Sequence, residues 1–285
     1  MRPDHARLGS VRMVAADLDG TMLTSAGAIS PRVRAALAAA SRRAVRLAFV
    51  TGRPLAPTAV LLRDAGVRGS LAASNGAVVC DARGRVLHRR ILDGARAQRA
   101  LRDLGRVPGL VLGAVLEHEL VLDRGFPADL AHEWRDQICA GSVATAVADG
   151  VVLKLLLAHA TEPVDTLAPV VQAALGRDFA VTYSTRRFVE VSHPQANKGA
   201  AVAALAEAAG VPCSAVACIG DMPNDLPMLS YAGVAAAVRN AHPAVLAAAD
   251  IVTAGNDEDG VAHLLEAIVA ARGVAPCGPL ADHAG

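Results

Sequence analysis

The segment Val11-Arg-Met-Val-Ala-Ala-Asp17-Leu-Asp19-Gly20-Thr21 constrains this chain more than any other. An apolar run of strand length climbs into two carboxylates one residue apart, then a glycine and a hydroxyl. Side chains two apart in an extended chain point to the same side. Asp17 and Asp19 are therefore expected to crowd their charges together where the strand ends. Like charges that close raise one pKa or require a cation. Nothing basic stands beside them in the sequence, so a hard divalent ion held by carboxylate oxygens is the simplest remedy. Such a pair implies a phosphoryl-transfer site assisted by Mg²⁺.

Strand and helix alternate after this segment. Ser30 reads as an N-cap with Pro31 at the first helical position, opening a helix to about residue 43. Residues 45–50 form a second apolar strand, which ends in Thr51-Gly52-Arg53-Pro54. A helix to about residue 65 and a short strand at 71–74 lead to Asn75-Gly76. Three strands thus end in Asp, Thr and Asn, each close to a glycine. Ligands of open α/β sheets bind beyond the carboxyl ends of the strands, so Asp17, Thr51 and Asn75 are expected on one rim. Residues 77–87 read as a hairpin turning at 81–84.

From 88 to 185 the alternation stops. Helical stretches (95–104, 128–139, 163–175) mix with strand-like ones (110–116, 120–123, 151–158, 179–184), as in an inserted α+β domain. Alternation then resumes with a strand at 188–191 and a helix over 198–209 capped by Asn197. A strand at 215–219 runs into Gly220-Asp221-Met-Pro-Asn224-Asp225. Strands at 234–238 and 251–252 and a helix at 261–272 follow. Residues 273–285 read as a loose tail. The expected fold class is α/β: a Rossmann-like parallel-sheet core over 1–87 and 186–285, interrupted by an α+β cap over 88–185.

Composition excludes several partners. Hydrophobic residues make up 53% of the 285 and charged residues 19%, far from the balance of a disordered chain. The formal net charge is +1, and four Phe, one Trp and two Tyr leave little to stack on bases, so no nucleic-acid partner is expected. No segment reaches the roughly 18 to 20 uncharged residues of a membrane helix, and the N-terminus lacks a signal-peptide core. Five cysteines, an odd number without a CxxC pair, fit reduced thiols and a cytoplasmic protein. Only Lys154 and Lys198 are lysines among 28 basic residues. Lys154, in an apolar strand, reads either as an edge lysine snorkelling to water or as a cap residue offered to a substrate anion. Glu190 and His193 stand close to Lys198 in sequence.

Taken in order, DLDGT at 17–21, TGR at 51–53, NKG at 197–199 and GDMPND at 220–225 resemble the motifs of the haloacid-dehalogenase superfamily. More narrowly they resemble the Cof-type phosphatases, whose large cap lies between the second and third motifs. SNGA at 74–77 fits the same group, and the resemblance runs from about residue 11 to about 270. It implies a Mg²⁺-dependent phosphatase working through an aspartyl phosphate. Asp17 is then the nucleophile and Asp19 the general acid and base. Mg²⁺ is held by Asp17, the backbone carbonyl of Asp19 and Asp221, while Asn224 and Asp225 orient its waters. Thr51 and Lys198 bind phosphoryl oxygens, with Asn75 and Arg53 reaching the substrate.

Elementary chemistry agrees with this set. Phosphate-monoester hydrolysis needs a nucleophile, positive charge at the phosphoryl oxygens and a proton for the leaving alkoxide. Singly, each residue has a plainer reading: Thr51 before Gly52 as a helix cap, Asp225 as a carboxylate favoured by a helix dipole. Four such sites in this order have none. The expected substrate is a small phosphorylated metabolite, a sugar phosphate or a cofactor phosphate such as FMN or pyridoxal phosphate, because a large cap encloses what it acts on. A phosphomutase or a dedicated pathway phosphatase would use the same core, and a non-catalytic phosphometabolite sensor is the reading from another class. A monomer or homodimer is expected. No GxGxxG follows the first strand, which argues against a dinucleotide enzyme.

Overall fold

The computed structural model describes residues 5–117, 119–127 and 138–273. The strands are β1 (Met13–Ala16), β2 (Arg46–Val50), β3 (Ser70–Ala73), β4 (Val78–Cys80), β5 (Val86–Arg89), β6 (Leu110–Leu116) and β7 (Leu120–Leu122). They continue with β8 (Ile138–Ala140), β9 (Val152–His159), β10 (Ala180–Thr182), β11 (Val189–Ser192), β12 (Val216–Gly220), β13 (Val234–Ala237) and β14 (Ile251–Val252). Two sheets result. The first has the order β14-β13-β12-β1-β2-β3-β4-β5 and the second β10-β11-β9-β6-β7-β8.

In the first sheet β1 lies between β12 and β2, parallel to both, with Met13 opposite Val216 and Arg46. Parallel strands covered on both faces read as unbroken apolar runs, and every residue of β1, β12 and β13 is buried. The expected N-cap forms: Ser30 Oγ accepts from Val33 N at 3.1 Å, with Pro31 next. Helix Lys198–Ala208 lies over β2 and β3 and packs against helix Leu226–Tyr231. The β4–β5 hairpin extends the sheet antiparallel. No helix among the described residues is long and apolar enough to cross a membrane.

The second sheet is wholly antiparallel apart from the β7–β8 pair. It departs from expectation in two places. The strand near 188–191, read as the return to the core, is β11, which pairs antiparallel with β9 and β10. A short apolar strand carries no mark of the sheet it joins, and the chain leaves the second sheet only after Ser192. The helix expected over 128–139 lies outside the described residues through 137, and its last two positions belong to β8. A short helix, Val143–Asp149, fills an interval to which the sequence assigns no element. The tail beyond 273 lies outside the described residues.

The two sheets meet along an apolar seam. Ala77, Val78 and Cys80 of the core pack with Val115, Leu120, Phe126, Leu156 and Ala158 of the cap. This seam sets how the cap sits over the carboxyl ends of β1, β2 and β3.

Candidate active site

Asp17 is the first residue beyond β1, anchored by its own N–H to Ile219 O at 3.0 Å. The chain then leaves the strand direction. Asp19 stays extended and Gly20 turns with φ +72°, a left-handed value that favours glycine. Space imposes the same choice, since a Cβ at Gly20 would lie 2.4 Å from Asp221 Oδ2. Thr21 Oγ1 donates to Asp221 Oδ1 at 2.7 Å. The turn separates the two aspartates that an extended chain would crowd. Asp17 is buried among Lys198 and Asp221, whereas Asp19, its side chain 42% exposed, faces Arg53. The cations missing from the local sequence arrive from elsewhere in the chain.

Lys198 opens its helix, whose N-cap is Asn197, with Oδ1 accepting from Ala200 N at 2.8 Å. Its ammonium donates to Asp17 Oδ1 and to Asp225 Oδ1, both at 2.6 Å. Burial alone would lower the Lys198 pKa, but Asp17 and Asp225 outweigh it and hold it above the ordinary lysine value. The Asp225 oxygen left over, Oδ2, accepts from the N–H groups of Asp221 at 2.9 Å and Met222 at 3.0 Å. Asp225 thus folds the loop back on itself and aims Asp221 at Asp17.

One ligand oxygen each from Asp17, Asp221 and Asp225 lie within 4.8 Å of one another. Burial pushes Asp17 well above the usual carboxylate range, and the charges of Asp225 and Asp221 add to it despite Lys198. Burial, then the charge of Asp225, pushes Asp221 up to about 7. Three carboxylates against one ammonium leave negative charge that is balanced either by bound protons or by a further cation. The donors are all oxygens, as Mg²⁺ prefers. Asn224 adds a buried carbonyl, Oδ1, with no hydrogen-bond partner. The residues fit the ion.

The remaining expected residues divide. Thr51, fully buried, accepts from Arg53 N at 3.1 Å through Oγ1, which leaves its hydroxyl proton available to donate. Arg53 grips Asp19 with two parallel bonds, Nε–Oδ2 at 2.7 Å and Nη2–Oδ1 at 2.5 Å. Asn75, 1% exposed, turns its side chain to protein partners. Its amide donates to Glu190 Oε2 at 2.9 Å and accepts from Asn224 Nδ2 at 3.0 Å, so both ends are occupied.

A cavity of about 110 Å³ opens between core and cap. Asp17, Asp19, Gly52 and Arg53 form its core wall, and Lys154, Ser184, Thr185, Phe188 and Glu190 its cap wall. Lys154 is no edge lysine: β9 is flanked by β11 and β6, and Lys154 is ion-paired with Glu190. Ser184, Thr185 and Phe188 carry no signal in the sequence beyond their nearness to Glu190. Thr21 stands within the DLDGT motif, where its bond to Asp221 could have been sought.

The haloacid dehalogenase-like hydrolase family matches residues 14–265. Phosphatase YwpJ of Bacillus subtilis (strain 168) is 28% identical over 282 residues, covering 90% of this chain and 99% of its own. The 5-amino-6-(5-phospho-D-ribitylamino)uracil phosphatase YcsE of the same organism is 28% identical over 255 residues, 88% of this chain and 93% of its own. A solved haloacid dehalogenase-like hydrolase from B. subtilis shares the fold, with a TM-score of 0.79 at 24% identity over 90% of this chain and 99% of that one. With the motif segments meeting at one rim and the family match running through core and cap alike, the chain belongs to the haloacid dehalogenase-like hydrolases, in their Cof-type branch.

Proposed function

We propose that this phosphatase removes the terminal phosphate of a small hydroxylated metabolite, with Mg²⁺ as cofactor and an aspartyl phosphate as intermediate. The observation that carries the reading is the buried cluster of Asp17, Asp221 and Asp225 closed by Lys198. Asp17 attacks phosphorus, and the bond from phosphorus to the leaving oxygen breaks as the bond to Asp17 forms. Asp19 gives that oxygen its proton. Asp19 then takes a proton from water, whose oxygen attacks phosphorus and releases Asp17 as carboxylate together with inorganic phosphate. Mg²⁺, when held by Asp17, Asp221 and the Asp19 carbonyl, supplies positive charge at the phosphoryl oxygens. Asn224 and Asp225 support that shell, while Lys198 and Thr51 bind the phosphoryl group itself.

The cavity supports a substrate class. At about 110 Å³ it is well under the roughly 300–1,000 Å³ of drug-sized ligand sites. Arg53, Ser184 and Thr185 line it with hydrogen-bonding groups. A short sugar or polyol chain suits it better than the ring of FMN or pyridoxal phosphate. The name of the relative YcsE specifies a phosphate on a ribityl chain that also carries a uracil ring, which agrees with the hydroxylated chain but does not speak against a ring beyond it. The protein acts in the cytoplasm on this reading, and Cys80, Cys139, Cys213 and Cys218 are free thiols.

A panel of sugar, polyol, FMN and pyridoxal phosphates, assayed for phosphate release with Mg²⁺ or EDTA, tests the proposal. Turnover should require Mg²⁺, favour the hydroxylated chains and vanish in Asp17→Asn. Transfer of phosphate to a second hydroxyl instead of water would mark a phosphomutase. Tight binding of a phosphate ester without turnover would mark a sensor.

A further inference from the structure

Lys154 and Glu190 form a buried ion pair inside the cap, 2% and 0% exposed. Lys154 stands opposite Ser192 in the β9–β11 ladder and Glu190 opposite Leu156. The two charges therefore lie diagonally on one face of the sheet, the face carrying Leu156 into the seam with the core. Removing two charges from water costs several kcal/mol per ion, and a well-packed apolar pair of similar volume is often as stable. Packing alone does not explain the pair.

Two further hydrogen bonds of the pair cross the seam. Lys154 Nζ donates to Gly52 O at 2.9 Å, and Glu190 Oε2 accepts from Asn75 Nδ2 at 2.9 Å. Gly52 sits between Thr51 and Arg53. Asn75 and its neighbour Ser74 hold left-handed φ values of +57° and +49°, a strained conformation that persists only where the surroundings over-determine it. Asn75 N also donates to Thr51 O at 2.8 Å, and its side chain receives Asn224. One chain of hydrogen bonds thus leads from cap strands β9 and β11 to the loop that holds Asp221 and Asp225. Among the described residues, other acid–base contacts between core and cap, His242 with Asp165 at 3.4 Å and Arg89 with Glu117, are partly open to water.

We propose that Lys154 and Glu190 act as a positioning pair: carried by the cap and neutral as a unit, they hold Gly52 and Asn75, and through them the catalytic rim, in register. Because both charges ride on the cap, the cap can lift without stranding either one. The bonds to Gly52 and Asn75 break with it, so alignment of the rim is tied to the cap resting on the core. The proposal rests on the phosphatase reading for its kinetic consequences, though not for its structural ones.

The test compares Lys154→Met, Glu190→Leu and the double variant, using p-nitrophenyl phosphate with Mg²⁺, melting temperature and amide hydrogen exchange. Each single variant strands a buried charge and should melt early; the double variant should regain the melting temperature. Its kcat should stay about 10- to 100-fold low, as for a small misplacement at a reacting centre, with KM little changed. Exchange should quicken at 51–53 and 74–76 while 153–158 stays protected. A double variant with wild-type kcat would make the pair merely structural and overturn the proposal, and so would a raised KM with kcat intact, which marks a substrate contact. Should the wild type hydrolyse no ester, the phosphatase reading fails by itself. Exchange then decides the positioning role: unchanged protection at 51–53 and 74–76 in the double variant would end it.

Discussion

The Lys198 ammonium lies 2.6 Å from the Asp17 carboxylate, 181 residues earlier in the chain, and both side chains are closed off from water. The same ammonium meets Asp225 at 2.6 Å. It therefore holds Asp17 and the loop that carries Asp221 and Asp225 at fixed distance from one another. The helix beginning at Lys198 can come this close because Gly199 has no side chain: a Cβ there would lie 2.5 Å from Pro227 O.

Lys198→Met removes the ammonium that Asp17 and Asp225 share. Stranding a buried ion by deleting its partner costs about 3–5 kcal/mol, and losing a preorganised charge at a reacting group costs about 10²- to 10³-fold in kcat. Both losses are expected, read by denaturant unfolding and by phosphate release. Lys198→Arg should recover little, since a planar fork replaces a compact charge poorly between two carboxylates. Wild-type turnover in Lys198→Met would remove Lys198 from the phosphoryl site.

Asp225 touches the amides of Asp221 and Met222 with one oxygen and Lys198 with the other. Asp225→Asn must face a donor with its NH₂ on one of those sides. The concentration of Mg²⁺ giving half-maximal activity should rise about 10- to 100-fold, as when groups that orient metal ligands are altered. Calorimetric titration of Mg²⁺ into the variant checks this without turnover. An unchanged affinity would mean that Asp225 does not set the position of Asp221.

Asp221, pushed up to about 7 by burial and Asp225, makes stability depend on pH. A carboxyl whose folded pKa is raised binds more protons folded than unfolded. Its favourable contribution is complete below the unfolded value of about 4 and is lost as pH climbs through about 7. The EDTA-treated protein should lose melting temperature across that window. Mg²⁺ requires the ionised form, so excess Mg²⁺ should raise the melting temperature more near pH 8 than near pH 5. Equal stabilisation by Mg²⁺ at both ends would show that these carboxylates do not hold the ion.

Much of this site was legible because strand ends advertise it. Asp17, Thr51, Asn75 and Asp221 each follow an apolar run, and a parallel sheet gathers such ends on one edge. Partners across long sequence separations were not legible. Nothing near Asp19 reveals that Arg53 will grip it, and the alternation Val189-Glu190-Val191-Ser192 is compatible with either sheet. The type and position of Asn75 point it toward a substrate, and its protein partners lie far off in sequence. Only the arrival of Glu190 from the cap and Asn224 from the metal loop shows both ends of its amide taken.

Arg53 and Asp19 give the sharpest test of proton transfer. Both Asp19 oxygens accept from one guanidinium, a pairing that fixes orientation as well as distance. To pass a proton, Asp19 must free one oxygen toward the leaving group. In the proposed mechanism, Arg53 keeps the carboxylate aimed along the cavity wall until a substrate competes for the guanidinium. The consequence depends on the leaving group. p-Nitrophenolate departs without a proton, whereas a sugar alkoxide needs one, and a positioned general acid contributes about 10²- to 10⁴-fold. Asp19→Asn should therefore slow a sugar phosphate far more than p-nitrophenyl phosphate in the aspartyl-phosphate-forming step, read as the burst of alcohol in rapid-quench experiments. Arg53→Ala should show the same leaving-group bias in weaker form, because Asp19 survives but loses its aim. Arg53→Lys, with charge but no fork, should resemble Arg53→Ala. Equal slowing of both substrates in Arg53→Ala would instead make Arg53 a binding group for the phosphate and leave Asp19 to be aimed by something else.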